Sequence, residues 1–491
     1  MIGHPAFPVE PWGLRETALD LDVLAQSESV FALSNGHIGW RGNLDEGEPH
    51  GIPGSYLNGV YEQRPLPYAE RGYGYPEDGQ TIINVTNGKV IRLLVNDEPF
   101  DVRYGLLRSH ERLLDFRAGV LRRRADWVSP AGCAIRVTST RLVSLAQREI
   151  CAIAYDVEPL DAPVQVVVQS ELIANEELPP ASGDPRTAAV LEAPLLERAD
   201  AARGNRAGLM HSTRQTDLRI GAVMDHVLDG PASLQVQSES FPHLARTTAL
   251  ATLDPGRPLH LVKFVAYGWS GTRSIPAVRD QADAALGQAV KTGWDGLLAA
   301  QRAYLDEFWE RADVEVDGDA QIQQAVRFAL FHVLQAGARA EGRAIPAKGL
   351  TGTGYNGHAF WDTETFVLPV LTYTKPDAVA HALRWRQSIL PMAKQRATQL
   401  GLGGAAFPWR TIAGAECSSY WPAGSAAFHV GADIANAVTR YVTATGDEDF
   451  ERDIGLELLT ETARLWCSLG HHDGHGRFCI DGVTGPDEYS A

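Results

Sequence analysis

The sequence predicts a multidomain β + α protein with an N-terminal antiparallel β-sandwich, a helical linker and a helical domain whose connecting loops are elaborate. Three observations predict it. Apolar residues alternate at period two in short runs up to residue 272. The spacing turns helical near residue 276. The loops between the later helices, 342–366 and 401–427, are long and rich in Gly, Trp, Pro and Tyr. Strands and helices are segregated along the chain rather than alternating, which excludes a Rossmann or TIM arrangement. The expected divisions are 1–272 for the β domain, 273–315 for the linker and 316–491 for the helical domain.

In chain order, 82–95 carries Asn87-Gly88, a strong hairpin signal between apolar flanks. The stretch 135–143 is β-branched and partly alternating, Val164, Val166 and Val168 repeat at period two, and 259–269 reads as a further strand. Residues 175–210, rich in Pro, Ala, Arg and Glu, read as a long surface insertion and the best candidate for disorder. From 276 to 309 the apolar positions Ala282, Leu286, Ala289, Leu297, Leu305 and Phe308 fit one helical face. A second helix carries Ile322, Val326, Leu330 and Val333, and further helices are expected at about 377–390, 428–445 and 449–469. Pro376-Asp377 and Gly446-Asp447 supply start signals for two of these.

Composition narrows the function. The 491 residues hold 44 Lys+Arg against 61 Asp+Glu, a net charge of −17, which argues against a general nucleic-acid binder. With 44% hydrophobic and 21% charged residues the chain is globular, not disordered. No apolar run approaches the ~18 residues of a spanning helix, so no membrane partner is expected. Five cysteines, odd in number and widely spaced, form no disulfide framework; without a readable export signal they fit a reducing cytoplasm. Eleven Trp and fourteen Tyr offer flat faces that suit sugar rings, although core packing is their commoner use.

Three loops could carry chemistry. In 349–364, a glycine-dense run leads to Gly357-His358-Ala359-Phe360-Trp361-Asp362-Thr363-Glu364. Trp361 beside Asp362 pairs a stacking face with a carboxylate acceptor for hydroxyls; as a structural alternative, Asp362 and Glu364 serve a helix N-terminal dipole. The second loop holds Phe407-Pro408-Trp409-Arg410 and Glu416, with Trp421 and His429 beyond; it repeats the aromatic-plus-acid chemistry, or else caps the helices as a packed cluster. The third, Gly485-Pro486-Asp487-Glu488-Tyr489, is either a helix start or a carboxyl with raised pKa at a loop tip. The run His471-His472-Asp473-Gly474-His475-Gly476-Arg477-Phe478-Cys479 matches no zinc spacing and reads as a structural turn, so no metal is expected.

These loops, in this order, resemble glycoside hydrolase family 65, which contains inverting phosphorylases of maltose, trehalose and kojibiose and related α-glucoside hydrolases. The opening run 31–42 (Phe31-Ala32-Leu33-Ser34-Asn35-Gly36-His37-Ile38-Gly39, then Arg41-Gly42) resembles the family's N-terminal signature. The resemblance implies that the helical domain is part of an (α/α)6 barrel. It implies that Glu488 is the general acid and that Trp361 and Asp362 hold the glucosyl ring. It places His358, Trp409 and Glu416 near that pocket. It implies a disaccharide as substrate, no cofactor, and inorganic phosphate as co-substrate if the protein is a phosphorylase. Family members are often homodimers; the sequence itself specifies no interface. Members run well past the Gly-Pro-Asp-Glu-Tyr motif, so the chain is expected to be an incomplete barrel, inactive by itself. A hydrolase of the same family and a non-catalytic sugar-binding protein are the alternatives.

Overall fold

The computed structural model describes residues 6–66, 68, 72–178, 189–419 and 423–486. Its first part is an antiparallel β-sandwich. One sheet runs, in spatial order, Val9–Glu10, Gly13–Glu16, Leu106–Asp115, Val120–Val128, Ala134–Val143, Ile150–Pro159, Leu259–Ser270, Arg219–Asp229, Arg206–Thr213 and Leu195–Arg203. The facing sheet runs Gln235–Phe241, Leu244–Leu253, Val164–Ile173, Ile91–Val95 and Glu98–Pro99. Alternation decides which side chains meet between them: Val166, Val168 and Leu172 from one sheet join Trp127, Val137, Ile153, Tyr155 and Val157 from the other in one buried core.

Two expectations need correction. Asn87-Gly88 makes no hairpin. Asn87 forms a lone antiparallel bridge to Ile173, its Oδ1 accepts from Lys89 N at 2.9 Å, and a Cβ on Gly88 would come 2.8 Å from the Tyr267 hydroxyl. Packing between the sheets, not turn propensity, fixes this segment. The 175–210 stretch is not one insertion either. Leu195–Arg203 and Arg206–Thr213 pair across Gly204-Asn205, with Gly204 at φ 62°, and Leu195–Arg203 is an edge strand whose polar face meets solvent. Residues 179–188 lie outside the described set.

The helices are α1 (Leu24–Val30), α2 (Ile275–Ala312), α3 (Ala320–Gly337), α4 (Leu368–Thr374), α5 (Pro376–Ser388), α6 (Leu390–Gln399), α7 (Ala423–Ala426), α8 (His429–Thr445), α9 (Glu448–Phe450) and α10 (Leu456–Leu469). The linker α2 breaks its helical geometry at Gly293 (φ 72°, ψ 169°), so its apolar face follows the β-sheet in two segments. α6, with Pro391 in its first turn, was not apparent from the periodicity. Both start signals match the structure: α5 opens at Pro376 with Asp377 in its first turn, and Gly446, left-handed, ends α8 while Asp447 caps the next turn through Phe450 N. Among the described residues no helix is long and apolar enough to cross a membrane.

The 31–42 signature clasps the two parts together. Asn35 Nδ2 donates to Ser144 O at 2.7 Å, its backbone O accepts from Arg339 N at 2.7 Å, and Ser34 N donates to Gln335 Oε1 at 2.7 Å. Arg41 reaches across to Thr351 O at 2.5 Å. A Cβ on Gly39 would sit 2.3 Å from Leu350, so only glycine allows that approach.

Candidate functional site

Backbone hydrogen bonds tie the long connections of the α-helical part to one another and to its helices. Ala359 and Thr411 exchange backbone hydrogen bonds (2.9 and 3.2 Å), joining the 338–362 connection to the 400–428 connection. Thr484 N donates to Ala426 O at 3.1 Å, which brings the 470–486 connection to the end of α7, three residues before α8 begins.

Trp361 and Asp362 close the first of these connections, just before a wide π-turn, Thr363–Val367, that leads into α4. Trp361 is half-buried and meets the His429 ring edge-on, centroids 5.2 Å apart at 86°. Trp409, buried, meets the same imidazole at 5.5 Å and 76°, and Phe360 at 6.1 Å and 90°. His429 therefore sits between two indoles, one from each loop. Its Nδ1 lies 2.8 Å from Asp433 Oδ2, one helical turn on, while Nε2 is buried with no partner among the described residues. Asp362 is exposed on one side. Desolvation by neighbouring atoms raises its carboxyl pKa, opposed by its own backbone N–H, which is its one partner among the described residues.

His358 and Glu416 have different surroundings. His358 is buried: Arg410 Nε donates to its Nδ1 at 2.6 Å, so the proton is on Nε2, which donates to Gln80 O at 2.6 Å. Burial, reinforced by Arg410, lowers its pKa to about 3. Glu416 accepts from three backbone N–H groups, Trp409 at 2.6 Å, Cys417 at 2.9 Å and Ser418 at 2.8 Å. Burial raises its pKa against those bonds and the nearby Arg396. Both side chains shape the loops from within. Glu364 is likewise committed: it forms a buried bidentate pair with Arg386 at 2.7 and 2.9 Å, not a dipole contact.

Sequence reasoning left Gln80, Arg386, Arg410 and Asp433 without a role. The i,i+4 spacing of His429 and Asp433 was a readable signal; the others depend on contacts distant in sequence. The glycine-dense run does not serve Trp361. Thr351 to Gly354 line a separate cavity of 580 Å³, with Ile82, Asn84 and Glu176. Glu488, Asp487 and Trp421 lie outside the described residues. Residues 471–479 form the hairpin expected, Asp473 accepting from Arg477, and among the described residues no group of three His, Cys, Asp or Glu is placed to hold a metal.

Residues 14–308 match the glycosyl hydrolase family 65 N-terminal domain, and residues 327–491 match the glycosyl hydrolase family 65 central catalytic domain. The chain belongs to glycoside hydrolase family 65. An uncharacterized glycosyl hydrolase of Mycobacterium tuberculosis (strain ATCC 25618 / H37Rv) is 64% identical over 493 residues, covering 100% of this chain and 62% of the relative. An α,α-trehalose phosphorylase of Thermoanaerobacter brockii is 36% identical over 495 residues (99% and 64%), and a kojibiose phosphorylase of Escherichia coli (strain K12) is 30% identical over 500 (98% and 62%). The solved structure of a putative kojibiose phosphorylase from human microbiome superposes with a TM-score of 0.89 at 27% identity, covering 98% of this chain and 63% of that one. The chain thus spans somewhat under two thirds of the length of these relatives. For this family 65 chain, the end of the helices that gathers Trp361, Asp362 and His429 lies within the stretch matched to the catalytic domain.

Proposed function

We propose that the protein performs inverting phosphorolysis of an α-glucosidic disaccharide of the trehalose, maltose or kojibiose type, releasing β-glucose 1-phosphate and glucose. The observation that carries this reading is the gathering of Trp361, Asp362 and His429 at one end of the helices, beside the 484–486 segment that leads into Glu488. A sugar ring has an apolar face and a fringe of hydroxyls; an indole face beside a carboxylate with free lone pairs matches both. The phosphorylase names of the relatives at 30–36% identity support the reaction type.

In this scheme the ring stacks on Trp361 and Asp362 accepts its hydroxyls. A phosphate oxygen attacks the anomeric carbon from the face opposite the leaving sugar. The glycosidic C–O bond breaks, and its oxygen takes the proton of Glu488, so configuration inverts from α to β. Phosphate is already anionic, so one protein carboxyl suffices; attack by water needs a second carboxylate as base. Incubation of the full-length protein with trehalose, maltose and kojibiose, with and without phosphate, tests this. Expected is phosphate-dependent β-glucose 1-phosphate, its anomer read by proton NMR, and at least a thousandfold lower rate for Glu488→Gln. Glucose release indifferent to phosphate makes the protein a hydrolase, and an unchanged Glu488→Gln rate removes the acid assignment.

A further inference from the structure

The hairpin Tyr61–Pro65/Asp78–Ile82 leaves the β-sandwich and wedges against both loops that carry the aromatic residues of the site. Its central contact is Gln80. The side chain is buried, and Oε1 accepts from two consecutive backbone N–H groups, Ile412 at 2.8 Å and Ala413 at 2.9 Å, with Thr411 Oγ1 at 3.4 Å. The backbone O of Gln80 accepts a hydrogen bond from His358 Nε2 on the other loop. On either side, Thr81 Oγ1 donates to Asn356 Oδ1 at 3.3 Å, and Ile82 packs so closely on Gly357 (φ 73°) that a Cβ there would come within 2.6 Å of it. One residue of the β part therefore bonds the His358 ring on the first loop and, on the second, the Thr411 hydroxyl and the backbone N–H groups of Ile412 and Ala413.

We propose that Gln80 is a positioning residue for the sugar site: it sets the spacing between the loop that carries Trp361 and Asp362 and the loop that carries Trp409 and Glu416. This rests on the sugar-binding reading above. Trp361 and Asp362 follow His358 by three and four residues, and Trp409 precedes Thr411 by two, so a shift of either anchor moves a ring. The amide suits the task because its oxygen points two lone pairs at the paired N–H groups of 412 and 413, which have no strand or helix partner of their own among the described residues. On this proposal the first sugar unit sits on Trp361 and Asp362 and the second unit extends toward the 407–416 loop. The loop spacing consequently controls the gain in affinity from the second sugar unit.

Gln80→Glu keeps an accepting oxygen; Gln80→Met keeps the length and removes it, and Gln80→Asn, one methylene shorter, replaces Gln80→Met if that variant does not fold. Amide hydrogen exchange is read on the intact protein without ligand. In Gln80→Met the amides of 359 and 411–413 exchange at least tenfold faster while those of α5 and α8 keep wild-type rates, and Gln80→Glu stays near wild type. Titration of tryptophan fluorescence with glucose and with each disaccharide gives the second readout: the ratio of disaccharide to glucose affinity falls about tenfold in Gln80→Met and is held in Gln80→Glu. Unchanged exchange in Gln80→Met, equal behaviour of the two variants, or equal losses for glucose and disaccharide would overturn the proposal. Wild-type protein that binds no sugar contradicts the sugar site instead, and the exchange result then judges Gln80 by itself.

Discussion

Glu364 and Arg386 are each 1% exposed and bonded face to face, and Arg386 also donates to Phe360 O at 3.4 Å. The pair fixes the π-turn behind Trp361. Removing one partner strands a buried charge, which costs about 3–5 kcal/mol. Glu364→Ala should lose that much stability in urea unfolding; a loss below about 1 kcal/mol would mean that the pair is not what holds the turn. His358 gives a pH prediction. Its folded pKa of about 3 lies below the unfolded value near 6.5, so between those values the unfolded chain binds the extra proton. Stability from this site is full above pH 6.5 and falls on acidification toward pH 3. Gln can donate to Gln80 O and accept from Arg410 without titrating. His358→Gln should therefore show a stability slope shallower by about 1.4 kcal/mol per pH unit in that window. Equal slopes would show that His358 protonates freely in the folded protein. At this scale the sequence was informative where chemistry is local: Trp361-Asp362 and the 407–409 run stand out by composition alone. Gln80 and Arg386 do not, because their meaning lies in partners 278 and 22 residues away.

Among the elements, the linker shows what periodicity reveals and what it hides. The apolar face of α2 was readable from Ala282 to Phe308, but the break at Gly293 was not, since one glycine scarcely alters a helical pattern. Its φ of 72° with ψ of 169° belongs to a region that essentially only glycine occupies, and a Cβ there would meet nothing within 4 Å. Gly293→Ala should therefore cost ~1–3 kcal/mol from backbone strain alone, measured by chemical unfolding. No change, or a gain of helix stability, would show that the linker can straighten. The two corrected β segments have the opposite cause. Asn87-Gly88 has the composition of a hairpin, yet contacts with Ile173 and Tyr267 override it. Leu195–Arg203 lacks apolar alternation because, as an edge strand, it buries only Leu195 and leaves both faces of the rest open to solvent.

For the whole molecule, the β part and the helical part share their polar contacts as well as their cores. The 31–42 run and the 78–82 strand both terminate in hydrogen bonds to the helical part, so the site is built by two parts that the sequence displays separately. The order of β then α was legible from the change of period. The joining was not, because Gly39 against Leu350 and Gln80 against Ile412 are contacts between residues more than 300 positions apart. The central claim is that the end of the helices gathering Trp361, Asp362 and His429 holds a glucosyl ring. Titration of intrinsic tryptophan fluorescence with glucose, in wild type and in Asp362→Asn, tests it most directly. A saturable change in wild type that weakens ten- to a hundredfold in Asp362→Asn is the predicted result, as expected for a carboxylate accepting charge-assisted hydrogen bonds. Equal glucose affinity in the two proteins would contradict it.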